Sequence, residues 1–457
     1  MTFMHYAGAI LVLILITLAG AYSGHKVKSA SDFSYGGRSA GIVIVIGGIV
    51  GAFVGGAATI GTAQLAFDYG FSAWWYTLGG GLGFVLMGAF FVEPMYKSGM
   101  TTISQMIAKE YGGKVAALSV VLMSMGTFVA IISQLVAGTV LITSVSSAGP
   151  AAAVCIVVVL TLIYVIFGGV WGAGYAGAVK TVLLYILTMI CGAVSLKLAG
   201  GISAVKSILP VDQYFSLFAR GCLKDGGEGL SVIFGVISTQ TYILPIISAK
   251  DLKTAKTGAL AGGVLITLIG IAGIAVGLFM KISAPEIASS EALPLFAMNC
   301  LPEFIGGVIL ATLLISIVGS SAAMALGMTS MLCSDIYLIH IAPNASDKKT
   351  LRFSCITIVA VLILTALFRI WDMDSVILNF GYLSMALRAS VSFAPLCFAL
   401  LLPGRVKSKY AMAAIMAGPL FAAAGKLFSL FGNTSLFLGV AAALVIMLFG
   451  YFKGAYN

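Results

Sequence analysis

Charge is what this sequence has least of. Only 9% of its 457 residues are Asp, Glu, Lys or Arg, against 60% from the apolar set, whereas a soluble domain carries about 25% charged residues. A water-facing surface cannot be built from that mixture, and the mean hydropathy of +1.11 agrees. Histidine is scarcer still, with three copies, His5, His25 and His340, all near the ends of apolar runs. The seven cysteines stand singly, without a CxxC pair, so a zinc or dithiol site has no support. Cys222 and Cys300 fall in loops expected outside, where a disulfide is chemically permitted, and the sequence does not show whether they approach. No HExxH, nucleophile elbow or phosphate-binding glycine loop is present. Metal-dependent, nucleophilic and ATP-driven catalysis are disfavoured, no catalytic residue is expected, and the chain does not read as an enzyme. A formal charge of +10 in a soluble protein would point to nucleic acid. In a membrane chain the positive-inside rule accounts for it, and no nucleic-acid partner is expected.

What is present is long apolar runs. Spanning a bilayer takes roughly 20 apolar residues, and about thirteen such runs follow one another here, joined by short polar hinges. The second covers 40–67, the fifth and sixth 150–168 and 176–200, the seventh 228–249, the ninth 303–334 and the eleventh 375–402. The fold class is all-α, polytopic and set in a lipid bilayer, with no sizeable soluble domain. Lys97, Lys109, Lys250, Lys253, Lys348 and Arg405 fall on the cytoplasmic side if the first run enters from outside. The expectation is a multi-pass protein of the cell inner membrane, N-terminus outside and C-terminus cytoplasmic. Run 4–24 lacks a basic leader and a cleavage site and is read as a retained helix.

Inside such runs the informative residues are helix breakers and lone polar groups. The second run reads GGIVGAFVGGAATIGTAQ, with a Gly55-Gly56 pair near its middle. Small residues let helices approach closely, and unwound backbone at the midplane frees carbonyls to hold a cation. Both readings are open. The ninth run places Ser316, Ser320 and Ser321 at about one-turn spacing, either bonding back to their own helix or offering neutral oxygens to a monovalent cation. Arg388 stands at the midpoint of its run, where a guanidinium costs a few kcal/mol without a partner or water. No acidic residue is expected at its depth. Either backbone carbonyls or water satisfy it, or it meets a small organic anion, whose carboxylate matches its planar fork.

The segments FSYGGRSAG (33–41), GGAATIGTAQLAFDYG (55–70), QTYILPIISAKD (240–251) and SSAAMALGMTSMLCSDIY (320–337) together resemble the sodium/solute symporter family, over roughly 33 to 405. That family carries proline, pantothenate, sugars, sialic acid and small carboxylates. The resemblance implies a leucine-transporter-type fold: an N-terminal extra helix and cytoplasmic loop (1–39), a five-helix repeat (40–200), an extracytoplasmic loop (201–227), an inverted second repeat (228–402) and two C-terminal helices (403–457), with core helices one and six broken. It implies sodium-coupled symport of a small organic solute by alternating access, and Arg388 adds the expectation that the solute bears a carboxylate. The coupling sodium would lie against the carbonyls of Gly51 and Val54, the carbonyl of Ser316 and the hydroxyl of Ser320. Gly319 stands where the family usually has a second hydroxyl, and Ser321 points elsewhere on an ideal helix.

One departure is larger. In FGGVWGAGYAGAVKT, where the family commonly has Thr-Asp and then Gln, this chain has Ala176, Gly177 and Lys180. Lys180 either snorkels to the cytoplasmic rim or brings its ammonium to the cation site, which would make coupling protonic or absent. A transporter-like membrane sensor without flux is a further alternative. The sugar branch's polar positions are Phe53 and Thr77 here and its tyrosine gate is Gly235, so a hexose is not expected. The substrate residues implied are Phe53, Gly55, Thr77, Gln134, Gln240, Tyr242 and Arg388, with Gln64, Ser133, Ser238, Thr239, Asn379 and Tyr382 as further polar candidates. Trp74, Trp75 and Tyr76 either line an outer vestibule or form an interfacial aromatic belt. Oligomeric state is not legible.

Overall fold

The computed structural model describes residues 2–24, 38–371, 376–427 and 435–454. His25, Lys26, Lys28 and positions 33–37 of the first motif lie outside the described residues. The described chain is helical, with one isolated bridge between Ala40 and Ala249. Its principal helices are α1 (Phe3–Gly24), α2 (Ile42–Phe53), α3 (Thr62–Tyr69), α4 (Trp74–Leu86), α5 (Ile103–Tyr111), α6 (Gly113–Val145), α7 (Pro150–Leu198), α8 (Cys222–Ile237), α9 (Gln240–Ile247), α10 (Leu252–Ser283), α11 (Glu303–Met331), α12 (Asp347–Trp371), α13 (Ile377–Leu401), α14 (Ser408–Leu427) and α15 (Ser435–Gly454).

Among the described residues seven helices are long and apolar enough to cross a membrane, and the bent pair α8 and α9 makes an eighth. Shorter apolar helices are Phe3–Leu15, Ile42–Phe53, Pro150–Val165 and Phe437–Lys453. The runs 150–168 and 176–200, expected as two spans, are continuous in α7, whose 49 residues are over twice the roughly 20 that one crossing takes. The outer faces are apolar, as lipid contact requires: Val182 and Ile186 are more than half exposed while Leu184 and Cys191, on the same helix, are buried. All seven cysteines are free thiols, Cys222 exposed and Cys300 half-buried.

Both expected breaks are present. The second run is helical to Phe53, leaves the helix at Val54 (φ −83°, ψ 88°) and resumes at Ala57 as a π turn leading into α3. The seventh bends by 43° between Ile237 and Gln240. The glycines of the first break serve close approach: a Cβ on Gly55 would stand 2.4 Å from Gln134 Oε1 and 2.7 Å from Ser320 Oγ, and one on Gly56 would stand 2.2 Å from the Ala137 Cβ. Positive φ matters elsewhere. Gly70 turns the chain from α3 to α4 at φ +59°, where a side chain would strike the Tyr214 carbonyl. Helix α2 packs on α7 and α10, α11 on α1, α6 and α7, and α13 on α6 and α8, so the two broken segments lie among the long helices that carry the polar residues.

Candidate functional site

The first break is held by side chains of its neighbours. Gln134 Oε1, from α6, accepts from the Gly56 amide at 2.7 Å, and Thr59 Oγ1 donates to the Gly55 carbonyl at 2.8 Å. Helix α11 supplies two hydroxyls: Ser316 Oγ donates to the Val54 carbonyl at 2.6 Å and Ser320 Oγ to the Gly51 carbonyl at 2.9 Å. Unwinding frees carbonyls that would otherwise bond within the helix, and these hydroxyls take them up.

Lys180 reaches the same point from α7. Its Nζ donates to the Gly51 carbonyl at 2.6 Å, to the Ser316 carbonyl at 3.0 Å and to Ser320 Oγ at 3.3 Å. An ammonium has three donors, and each finds an acceptor. The residue is 1% exposed, so it does not snorkel. Two glycines make the approach possible. A Cβ on Gly177 would lie 3.0 Å from the Gly47 carbonyl, which lets α2 and α7 touch one turn away, and a Cβ on Gly319 would stand 3.3 Å from Lys180 Nζ. Gly319 thus leaves the face of α11 beside Nζ free of a side chain. Ser321 Oγ is buried without a partner and takes no part.

Arg388 is also 1% exposed, but it is held differently. Nε donates to the Ser384 carbonyl at 3.1 Å and Nη2 to Ser384 Oγ at 2.9 Å, while Nη1 is buried without a hydrogen bond. Among the described residues it forms no ion pair. Its guanidinium lies 5.9 Å from the centre of the Tyr242 ring. Tyr242 belongs to a chain of rings in which Phe53 neighbours Tyr76, Phe84 and Tyr242 at 5.4, 6.0 and 5.6 Å, and Tyr76 neighbours Tyr382 at 5.5 Å. The cluster joins the end of α2, the middle of α4, the start of α9 and the middle of α13. Gly80 makes room for it, since a Cβ there would lie 2.2 Å from Phe53 Cζ.

Polar contacts flank this region. On one side Arg220 pairs with Asp225 and Glu228, each at 2.6 Å, with its guanidinium 5.9 Å from the ring centres of Tyr69 and Tyr382. On the other, Gln240 grips the turn before α5, donating to the Thr101 carbonyl at 2.8 Å and accepting from the Ile103 amide at 2.9 Å. Asp335, buried just beyond α11, accepts from Thr102 Oγ1 at 3.1 Å, from Gln105 Nε2 at 3.0 Å and from Ser104 Oγ.

Of the residues singled out from the sequence, Gly51, Val54, Ser316, Gly319, Ser320 and Lys180 converge, and so do Phe53, Tyr242 and Arg388. Gly55 and Gln134 shape the break. Gln240 faces the turn before α5, and Thr77 is buried against Gly270 of α10, so neither adjoins the ring cluster. Gln64 and Ser133 bond the start of α13 at Ile377, and Asn379 is exposed. Trp74 and Trp75 bond to backbone at Thr267 and Leu217, but Tyr76 is buried in the cluster and is not a belt residue. Phe84, Arg220 and Asp335 were not anticipated. The spacing of Asp225 and Glu228, three apart on one helix face, was the available signal for the Arg220 contact.

The pattern of the Sodium:solute symporter family matches residues 33–418. The chain is 26% identical over 410 residues to the uncharacterized symporter YwcA of Bacillus subtilis (strain 168), covering 85% of this chain and 79% of that one. It is 22% identical over 394 residues to the high-affinity choline transporter 1 of Drosophila melanogaster, covering 80% of this chain and 63% of the relative, under two thirds of its length. Among solved structures, the substrate-bound, outward-open state of a Na+-coupled sialic acid symporter aligns with a TM-score of 0.85 at 16% identity, over 100% of this chain and 98% of that one, a likeness of fold. With the family pattern running through both breaks and the helix that faces them, this chain belongs to the sodium:solute symporter family, whose members are transporters and not enzymes.

Proposed function

We propose that the protein carries a small organic anion across the membrane by alternating access, with Arg388 holding the solute's carboxylate and the Lys180 ammonium standing where a coupling sodium would lie. The observation that carries this is the position of Lys180 Nζ against Gly51, Ser316 and Ser320. A sodium ion needs those same oxygens. With the ammonium bonded to three of them and the Ser316 hydroxyl given to Val54, the donor set does not fit sodium beside a protonated lysine. A lysine can take up and release its charge by moving a proton, so coupling is to protons or to nothing. The solute's charge is argued from Arg388, whose Nη1 has no partner. A choline-like cation, the solute in the name of one relative, would meet that guanidinium unfavourably. Alternating access would rock the segment 40–200 against 228–402, opening the Arg220 contact and the Gln240 and Asp335 contacts in turn.

Sodium-coupled symport is the second reading, and what favours it is the donor set itself, four neutral oxygens, two at the break of α2 and two on α11. The two are separated in proteoliposomes, with a transported acid first found by thermal-shift screening of small carboxylates with and without sodium. Uptake driven by an inward pH gradient in sodium-free buffer is the expected result. Uptake that needs sodium and ignores pH would overturn the lysine reading. For orientation, an impermeant thiol reagent should reach Cys222 on intact cells, and labelling only from the cytoplasmic side would reverse the assignment.

A further inference from the structure

We infer that the solute is a flat aromatic monocarboxylate without an amino group, seated among Phe53, Tyr76, Tyr242 and Tyr382 with its carboxylate on Arg388. This rests on the reading of Arg388 as the carboxylate anchor and narrows the class of acid. The walls are the first reason. Four aromatic residues from four helices meet at ring-centre distances of 5.4 to 5.6 Å, and they adjoin both helix breaks. Aromatic pairs attract a further ring in offset or edge-on geometry.

The unmet polar atoms are the second. Arg388 Nη1, Tyr242 Oη, Tyr382 Oη and Ser238 Oγ are all buried without partners. A guanidinium only donates, whereas a hydroxyl both donates and accepts, so it is the charged Nη1 and not the hydroxyls that calls for a ligand of acceptors. A carboxylate supplies them. The acids near Tyr382, Asp225 and Glu228, are already paired with Arg220.

The third reason weighs against an amino group. An α-ammonium would need carbonyl acceptors at the breaks. Those of Gly51, Val54, Gly55 and Gly235 each already accept from a hydroxyl, of Ser320, Ser316, Thr59 and Thr239 respectively, and Gly51 also from Lys180, which leaves at most one lone pair on each of the others. Beside Arg388 an ammonium would meet like charge.

The test is binding to the purified full-length protein, read by thermal shift and by displacement of labelled benzoate. Benzoate, cyclohexanecarboxylate, benzamide and phenylalanine are compared. Benzoate should bind about 5-fold or more tightly than cyclohexanecarboxylate, in line with an aromatic-pair contribution, benzamide should displace it only at about 30-fold or higher concentration, and phenylalanine should not displace it. Phe53→Leu should weaken benzoate about 5-fold more than it weakens cyclohexanecarboxylate and so erase the preference for the aromatic ring, an outcome that misfolding, which lowers both alike, cannot produce. Equal affinity for the two acids would overturn this inference and leave the carboxylate anchor standing. Benzamide binding as well as benzoate would remove the anchor and the proposed function with it. Absence of benzoate binding, with other carboxylates bound, would overturn the aromatic class.

Discussion

Lys180 and Arg388 are both buried to 1% exposure, in a chain with few charges to spare, and neither forms an ion pair among the described residues. They differ in how completely neutral oxygens satisfy them. Each donor of Lys180 has an acceptor within 3.3 Å, from two backbone carbonyls and one hydroxyl. Arg388 uses Nε and Nη2 on its own helix at Ser384 and leaves Nη1 without a hydrogen bond beside the Tyr242 ring. An unmet buried donor costs about 1–3 kcal/mol, a strain that a bound acceptor relieves. A satisfied cation fills a site, whereas an unsatisfied one defines where a ligand of opposite charge gains most.

The comparison is broken most directly at Arg388. Arg388→Gln should lower affinity for the transported acid by about 30-fold or more, the scale on which truncating one partner of a buried charge pair is felt. Affinity for the corresponding amide should be unchanged. Arg388→Lys should fall between, because a point charge keeps attraction and loses the two-pronged geometry. Acid and amide weakened equally in a folded variant would make Arg388 a structural residue like Ser384, its neighbour.

Much of this was legible beforehand, for reasons that differ by residue. The Gly55-Gly56 pair announced the first break because glycine in a helix interior is costly, and the hydroxyls of Ser316 and Ser320 fell opposite it because helical spacing is rigid. Arg388 was conspicuous because charge at mid-span is rare. The position of Lys180 was not decided by sequence, since a lysine stem reaches either the rim or the core, and the choice turned on Gly47, Gly177 and Gly319 allowing close approach. The aromatic cluster was hidden for another reason. Tyr76 sits in a Trp-Trp-Tyr run that resembles an interfacial belt, and its burial depends on α8 and α13, which are distant in sequence. The merging of runs 150–168 and 176–200 into α7 escaped notice because glycines lower helix propensity without forbidding it.

At Lys180 the expected effect is a change of kind, smaller in affinity. Lys180→Gln should abolish the response of uptake to an inward pH gradient and leave Gly51, Ser316 and Ser320 with an uncharged partner. Adding Gly319→Ser, which restores a hydroxyl where a Cβ lies 3.3 Å from the ammonium, should bring sodium dependence to the double variant. In the wild-type background the same Gly319→Ser crowds Nζ and should slow uptake without conferring a sodium requirement. Proton-driven uptake that survives Lys180→Gln would place the proton elsewhere, with Asp335 the next residue to change.

The smallest effect is expected at Ser320. Its hydroxyl is the longest of the three Lys180 contacts, at 3.3 Å, and it also donates to the Gly51 carbonyl at 2.9 Å, which the ammonium itself reaches at 2.6 Å. In Ser320→Ala the ammonium keeps two carbonyls, and the Gly51 carbonyl keeps the ammonium. The loss is one net hydrogen bond of about 1 kcal/mol, so the external proton concentration for half-maximal uptake should rise about 5-fold, with no sodium dependence gained. The pH profile of uptake at saturating solute reads that shift. If Ser320→Ala instead removed proton coupling altogether, the hydroxyl and not the carbonyls would be holding the charge, and the contrast between a filled cation site and an open anion site would have to be redrawn around a single side chain.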